Sequence, residues 1–465
     1  MTTTTTSAAA GQLERLRDLA GQLRARDAWS REQLLAHQAQ RLRALLGHAV
    51  ARSPFYRETL GADAAERPLA ELPTLPKATL MERFDQIVCD PRLRRGELEA
   101  HLQGPDPARP FLGEYRVFTT SGSTGLRGIF AFTQDEFSLW VAANLRMFGR
   151  IGLGPATRLV AIGAPSPLHL TRQLFAIFQA GHQGAPRLSA VTPLPELVDA
   201  LNHYQPEALI GYPTIAGQLA DEQAAGRLHI RPRLGAYGAE PLTPDLRRRI
   251  RAAWDFEPAN VYATTEAPIV AASTPAHAGL EIHEDVLLVE VVDEQDQPVP
   301  PGTPGFKVLV TNLVNFAQPL IRYEISDAVT LAPGPNPTGR PWRCLASVEG
   351  RSAEVLHLSA PGGGEVAVHP SALGVAFAGL PDVRQYQVLH DRHGLHVRVV
   401  LAPGAPVDTS ARLRRSLAAS LEAAGALPPP VDVQPVAALQ REPGPAAKLK
   451  LVASTHPGGR RAPAG

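Results

Sequence analysis

Cysteine is almost absent from this chain: 465 residues contain two, Cys89 and Cys344. Thiols so far apart in sequence make neither a disulfide framework nor a four-thiolate zinc site, and both read as small buried hydrophobes. An excess of one charge is missing too. Lys and Arg number 46 against 45 Asp and Glu, a formal net charge of +1. That balance argues against nucleic acid or a membrane surface as the main partner and leaves small molecules. No uncharged run has the length of a membrane span. The start, MTTTTTSAAAG, carries neither the positive region nor the apolar stretch of a signal peptide, so a cytoplasmic location is expected, with residues 1–10 disordered.

What is present is a chain 44% apolar and 20% charged, enough for a large domain and a smaller one, each with its own core. Leu13, Leu16, Leu19 and Leu23 mark one helical face, and Ser30 with Gln33 forms a capping box opening a second helix at about Arg31. PLAELPTLPKATL, broken by Pro68, Pro73 and Pro76, reads as a loop leading into another helix. From Thr157 the apolar runs RLVAIG, ALIGYP and NVYATTE alternate with amphipathic stretches, the pattern of βαβ units around a largely parallel sheet. The fold class is therefore α/β. LLVEVVDE and FKVLVT, separated by a Pro/Gly-rich turn, predict antiparallel strands and a second β layer. Beyond Gly350 the chain suffices for a small α+β domain, with the boundary between Val348 and Glu354. The expected division is 11–349, including a helical N-terminal segment, and 350–465.

The stretch VFTTSGSTGLRGIFAF, Val117 to Phe132, sets small hydroxyl and glycine residues between two apolar runs. Such a loop can fold into a nest of backbone N–H groups that suits a polyphosphate. It is no Walker A loop, because the Gly-Lys-Ser/Thr ending is absent. Five further pieces follow in order: YGAEPL (Tyr237–Leu242), VYATTE (Val261–Glu266), IRYEISD (Ile321–Asp327), VEGRSAE (Val348–Glu354) and PGPAAKLK (Pro443–Lys450). This set resembles the adenylate-forming superfamily. Within it, the chain is most similar to the phenylacetate:coenzyme A ligases and to a related group containing the synthetase that adenylylates a deazaflavin coenzyme. SPFYR (Ser53–Arg57), SGSTGLRG (Ser121–Gly128) and IHEDVLLVEVVD (Ile282–Asp293) fit the same branch, and the resemblance covers nearly all of the chain after about Ser30.

The resemblance implies a large layered α/β adenylation domain with a small α+β lid that rotates between half-reactions. It implies ATP, Mg2+ and coenzyme A, or a carrier-protein phosphopantetheine, as cofactors. Thr120, Ser121, Gly122, Ser123, Thr124 and Gly125 match the loop holding the β- and γ-phosphates. Gly238, Ala239, Glu240 and Pro241 match the segment beside adenine, and Tyr262 and Thr265 flank the nucleotide. Glu266 matches the magnesium ligand, which suits a hard cation that prefers oxygen donors. Asp327 matches the acceptor of the ribose hydroxyls, Arg351 the arginine after the hinge, and Lys448 the lid lysine that bridges carboxylate and α-phosphate. Lys450 competes for that last role, while Arg322 and Tyr323 are expected to be structural support.

Several positions depart from the family pattern. Leu126-Arg127-Gly128 stands where Pro-Lys commonly follows the phosphate loop, and Ala353 where relatives carry Asp or Lys. Cys344 alone cannot hold the structural zinc of some relatives. His169 is expected as a pocket residue, and RRRIR (Arg247–Arg251) as a solvated helix face rather than a nucleic-acid patch. The reading is an AMP-forming acid:thiol ligase with an aryl or arylalkyl acid favoured. Two alternatives stay open: transfer of AMP to a phenolic hydroxyl, and a catalytically silent nucleotide binder.

Overall fold

The computed structural model describes residues 2–120, 127–154, 156–166, 168–179, 185–186, 188–351, 354–442 and 447–455. Its first helix spans Thr2–Ala25, so it covers most of the segment expected to be disordered. The run Ala8 to Ala10 favours helix strongly and lets the leucine-bearing helix extend backwards. The next helix, Arg31–Arg52, opens with the expected capping box, in which the Ser30 hydroxyl accepts from Gln33 N–H and the Gln33 side chain accepts from Ser30 N–H.

A nine-stranded sheet forms the centre. Its strand order is Asp327–Leu331, Cys344–Arg351, His277–Ile282, Ala271–Thr274, Ala259–Tyr262, Leu234–Gly238, Ala208–Gly211, Leu159–Gly163 and Leu188–Ser189. The last five are parallel to one another and the rest pair antiparallel. LVAIG and ALIG are buried along their whole length, as parallel strands covered on both faces must be. Side-chain alternation divides them: Leu159, Ala161 and Ile210 join the main core, whereas Val160, Ile162 and Leu209 pack into a second cluster on the opposite face. Leu287–Val292, Lys307–Asn312 and Tyr323–Ile325 form a separate antiparallel sheet, with Leu287 opposite Asn312. A two-stranded ribbon, Tyr115–Thr119 with Ile129–Thr133, flanks the glycine-rich loop.

After the main sheet the chain forms a core of its own, which includes Leu356, Phe377, Val388, Val397, Leu417 and Val452. Its four-stranded sheet runs Val431–Pro435, Gly394–Leu401, Val383–Asp391, Val452–Ser454, and the helices Pro370–Ala378 and Thr409–Ala423 pack on it. Among the described residues no helix is long and apolar enough to cross a membrane.

A buried ionic cluster ties the N-terminal helices to the sheet. Arg146, on the helix Gln134–Arg150, donates to both Asp285 carboxylate oxygens (2.8 and 2.9 Å), to His283 Nδ1 (3.1 Å) and to the Leu23 carbonyl (3.0 Å). The guanidinium groups of Arg146 and Arg150 lie 4.6 and 4.0 Å from the Trp342 ring centre. Removing one partner leaves the other charged and out of water. Asp285→Ala is therefore expected to lower unfolding free energy by about 3–5 kcal/mol, read from urea denaturation, and a loss below about 1 kcal/mol, the range of a surface pair, would contradict this account.

Candidate active site

The carboxyl ends of the parallel strands open into a cavity of about 610 Å3, the place where open α/β sheets take ligands. Backbone shape makes room there. A Cβ at Gly238 would lie 2.4 Å from the Val261 carbonyl, so only glycine lets these two strands run so close. Ala239 follows with φ at 66°, a left-handed turn uncommon for a residue with a Cβ. It swings the chain out of the strand across the cavity mouth.

Thr120, Gly238, Ala239, Glu240, Pro241, Tyr262, Thr265, Glu266, Asp327, Arg351 and Lys448 all line this one cavity. Ser121 to Gly125, and Ala353, lie outside the described residues. The base of the glycine-rich loop is nevertheless visible: Thr120 N–H donates to the Gly128 carbonyl (3.1 Å), and Gly128 N–H to Thr120 Oγ1 (2.8 Å).

At this end of the cavity stands Lys77, a residue the sequence reading passed over as part of a proline-broken loop. Its ammonium donates to Thr120 Oγ1 (2.9 Å). Burial pulls its pKa down, while the Glu266 carboxylate raises it and Arg351 lowers it. One signal was available. Lys77 opens a short helix, where a cation opposes the helix dipole, so a reason outside the helix was called for. Glu266 accepts from the Tyr323 hydroxyl (3.3 Å), and Asn312 Nδ2 donates to its backbone carbonyl (2.9 Å). Its carboxylate and the Thr120 hydroxyl line the same cavity, hard oxygen donors of the kind that suit a magnesium ion. Among the described residues no cluster of three His, Cys, Asp or Glu could cage a metal by itself.

Asp327 begins an edge strand and is fixed by the Tyr262 hydroxyl, which donates to Oδ2 (2.8 Å), with Arg351 Nε at 3.8 Å from Oδ1. Burial, and then Asp327, push the Tyr262 phenol well above its ordinary value, so it stays a donor. Arg322 is buried and donates to the Ala70 and Leu72 carbonyls and to Glu290, the supporting place expected of it.

Lys448 comes from the C-terminal unit. Burial foremost, and then Arg351, lower its pKa, and Glu240, Asp327 and Glu442 oppose them. Lys450 lines the cavity as well, with its carbonyl taken by Gln387 Nε2 (3.0 Å). Away from the charged groups the wall turns apolar, with Phe148, Leu174, Phe175, Phe178 and Ile210. Phe148 and Phe178 meet edge to face, 4.9 Å between centres. His169 lines the cavity as well. Its Nδ1 meets the Thr171 hydroxyl (2.8 Å), with Thr171 N–H at 3.3 Å, and burial foremost, then Lys448, pushes its pKa down to about 3. It is therefore neutral at physiological pH.

One expectation about the surface is corrected. Arg249, in RRRIR, is not on a solvated face: its side chain is 10% exposed, pairs with Asp221 and Asp245, and donates to the Arg384 carbonyl (2.8 Å) of the C-terminal unit. Its helix lies at the contact between the two units, which short-range pattern does not reveal.

A family model described as AMP-binding enzyme matches residues 35–310. A phenylacetate-coenzyme A ligase of Pseudomonas putida is 28% identical over 257 residues, 52% of this chain and 55% of that protein. One from Aromatoleum evansii is 26% identical over 329 residues, 66% and 70% of the two. The match to the first of these thus spans little more than half of its length. Among solved structures, a 2-hydroxyisobutyryl-CoA ligase in the postadenylation state superposes with a TM-score of 0.72 at 20% identity, covering 90% of this chain and 88% of that one. The same ligase in its thioesterification state gives 0.59 at 19% identity, with 93% and 92% covered.

The charges around Lys448 fix the sign of two shifts. Asp327→Asn removes an opposing carboxylate and is expected to lower the Lys448 pKa further, whereas Arg351→Gln removes a repelling cation and is expected to raise it. Titration of the lysine side chains by NMR reads both, and shifts of the same sign in the two variants would contradict the placement.

Proposed function

This chain belongs to the AMP-binding enzyme family, and we propose that it activates a carboxylic acid with ATP and passes the acyl group to the thiol of coenzyme A or of a carrier-protein phosphopantetheine. The observation that carries the reading is that Lys448, Asp327, Glu266 and an apolar chamber share one cavity. An aryl or arylalkyl acid is the substrate class this chamber suits, with its ring against Phe148, Phe175 and Phe178 and its carboxylate toward His169 and Lys448.

The chemistry follows from the repulsion between two anions. A carboxylate oxygen attacks the α-phosphorus of ATP, the bond to the β-phosphate oxygen breaks, and pyrophosphate leaves with the electron pair. The thiolate sulfur of the second substrate then attacks the acyl carbon and AMP departs. Lys448 places a positive charge where the carboxylate and the α-phosphate meet, which is where negative charge develops. Neutral His169 adds a polar group to the lining without becoming charged. Asp327, oriented by Tyr262, accepts from the ribose hydroxyls. Glu266 would hold a magnesium ion, which offsets the phosphate charge when bound. Lys77 brings a cation to the phosphate end of the cavity from another segment of the chain. In this reading residues 350–465 act as a mobile lid over the domain 11–349, and the place of Lys448 in the cavity lining supports a pose on the adenylating side.

Pyrophosphate exchange into ATP, screened over benzoic, phenylacetic, cinnamic, fatty and amino acids, tests the reading. Exchange that depends on an aryl or arylalkyl acid is expected, and no exchange with any acid would refute it. Lys77→Ala is expected to raise KM for ATP about tenfold or more, the loss of a hydrogen bond to a charged group, and an unchanged KM with unchanged kcat would remove Lys77 from the phosphate site.

A further inference from the structure

Glu240 resembles a nucleotide residue by its place in YGAEPL, yet its carboxylate is engaged elsewhere. The side chain is 1% exposed and its oxygens are occupied by three donors: Arg441 Nη1 (2.8 Å), the backbone N–H of Leu449 (2.7 Å) and the Thr214 hydroxyl (2.5 Å). Two of the three come from the C-terminal unit. Arg441 reaches further, donating through Nη2 to Thr214 Oγ1 (2.8 Å) and through Nη1 to the Ala447 carbonyl (3.1 Å). Glu442 N–H closes on the Lys448 carbonyl (2.8 Å). The residues on both sides of Lys448 are thus pinned, Ala447 by Arg441 and Leu449 by Glu240. Ala447 and Leu449 are themselves buried.

We propose that Glu240 and Arg441 are positioning residues that latch the Lys448 segment onto the large domain in the adenylating pose, and that Glu240 acts through this lysine rather than on the nucleotide. The inference rests on the proposed adenylation and adds to it the device that delivers the lysine. A buried carboxylate with three donors in place fixes geometry closely, because a shift of the segment leaves a charge without partners. The device also has a built-in direction. Withdrawal of the C-terminal unit breaks the Arg441 and Leu449 bonds together and leaves only Thr214, so the latch holds the unit for the first half-reaction and resists its departure for the second.

The test compares Glu240→Ala, Arg441→Ala and Arg441→Lys with the parent protein in three measurements. In pyrophosphate exchange both alanine variants are expected to lose about tenfold or more in kcat with KM for ATP within about twofold, and Arg441→Lys to recover part of the loss. Thioester formation from supplied acyl-adenylate is expected to be retained or faster, since the latch is already open in that step. Adding Glu240→Ala to Lys448→Ala is expected to cost nothing more, because the lysine it positions is gone. A control, Asp221→Ala, breaks another polar contact between the units, the ion pair of Asp221 with Arg384, without touching the lysine segment. A raised KM for ATP with kcat held would return Glu240 to the nucleotide. Equal loss in both half-reactions, an equal loss in Asp221→Ala, or full additivity with Lys448→Ala would each overturn the latch. Should the parent exchange no pyrophosphate with any acid, the proposed function fails, and the latch is then judged by hydrogen exchange at Leu449. Slow exchange in the parent that becomes fast in Glu240→Ala without loss of melting temperature supports it, and unchanged exchange refutes it.

Discussion

An ammonium group keeps its proton away from water only where carboxylates face it, and around Lys448 that condition joins the two halves of the molecule. The lysine and Glu442 belong to the C-terminal unit, whereas Glu240 and Asp327, which with Glu442 oppose the lowering of its pKa by burial and Arg351, belong to the large domain. Neither half has the site alone. The relative placement of the two units is therefore an electrostatic matter as well as a packing one, and the hydrogen bonds at Glu240, Arg441, Arg249 and Arg384 lie along the same contact. The Arg146 and Asp285 pair has a different job, tying the N-terminal helices to the large domain.

The site is divided by charge in a way that matches two anionic reactants. Lys77 and Lys448 bring cations to the cavity from opposite ends of the chain, and both are depressed by burial. Carboxylates at Glu266 and Asp327 balance them without filling the space. His169, neutral because it is buried, lines the same cavity. A preorganised arrangement of this kind stabilises developing charge without having to reorient water at the moment of reaction.

How much of this was readable beforehand depended on range. The parallel strands were legible because LVAIG and ALIG are apolar along their length, and the capping box at Ser30 because its partners are three residues apart. The hairpin of LLVEVVDE and FKVLVT was legible for the same reason. Lys77 was not, since its partner Thr120 is 43 residues away and the one local signal, a cation at a helix start, does not say where it reaches. Arg249 was mistaken for a surface residue because helical pattern cannot show which unit will dock on a charged face. Glu240 could be placed in the cavity by its motif, but the direction of its carboxylate depends on Arg441 and Leu449, some two hundred residues later. The helix over residues 2–25 begins well before its leucine face, in a stretch whose alanines favour helix.

The central claim is that the C-terminal unit carries Lys448 to the cavity for one chemical step and not for the other. The most direct measurement compares Lys448→Ala with the parent in two separated half-reactions, acyl-adenylate formation from acid and ATP, and thioester formation from supplied acyl-adenylate and coenzyme A. The account predicts a loss of about a hundredfold or more in the first, the scale seen when a preorganised charge-stabilising group is removed, with the second nearly unchanged. Equal losses in both, or the same pattern produced by Lys450→Ala while Lys448→Ala stays active, would contradict it.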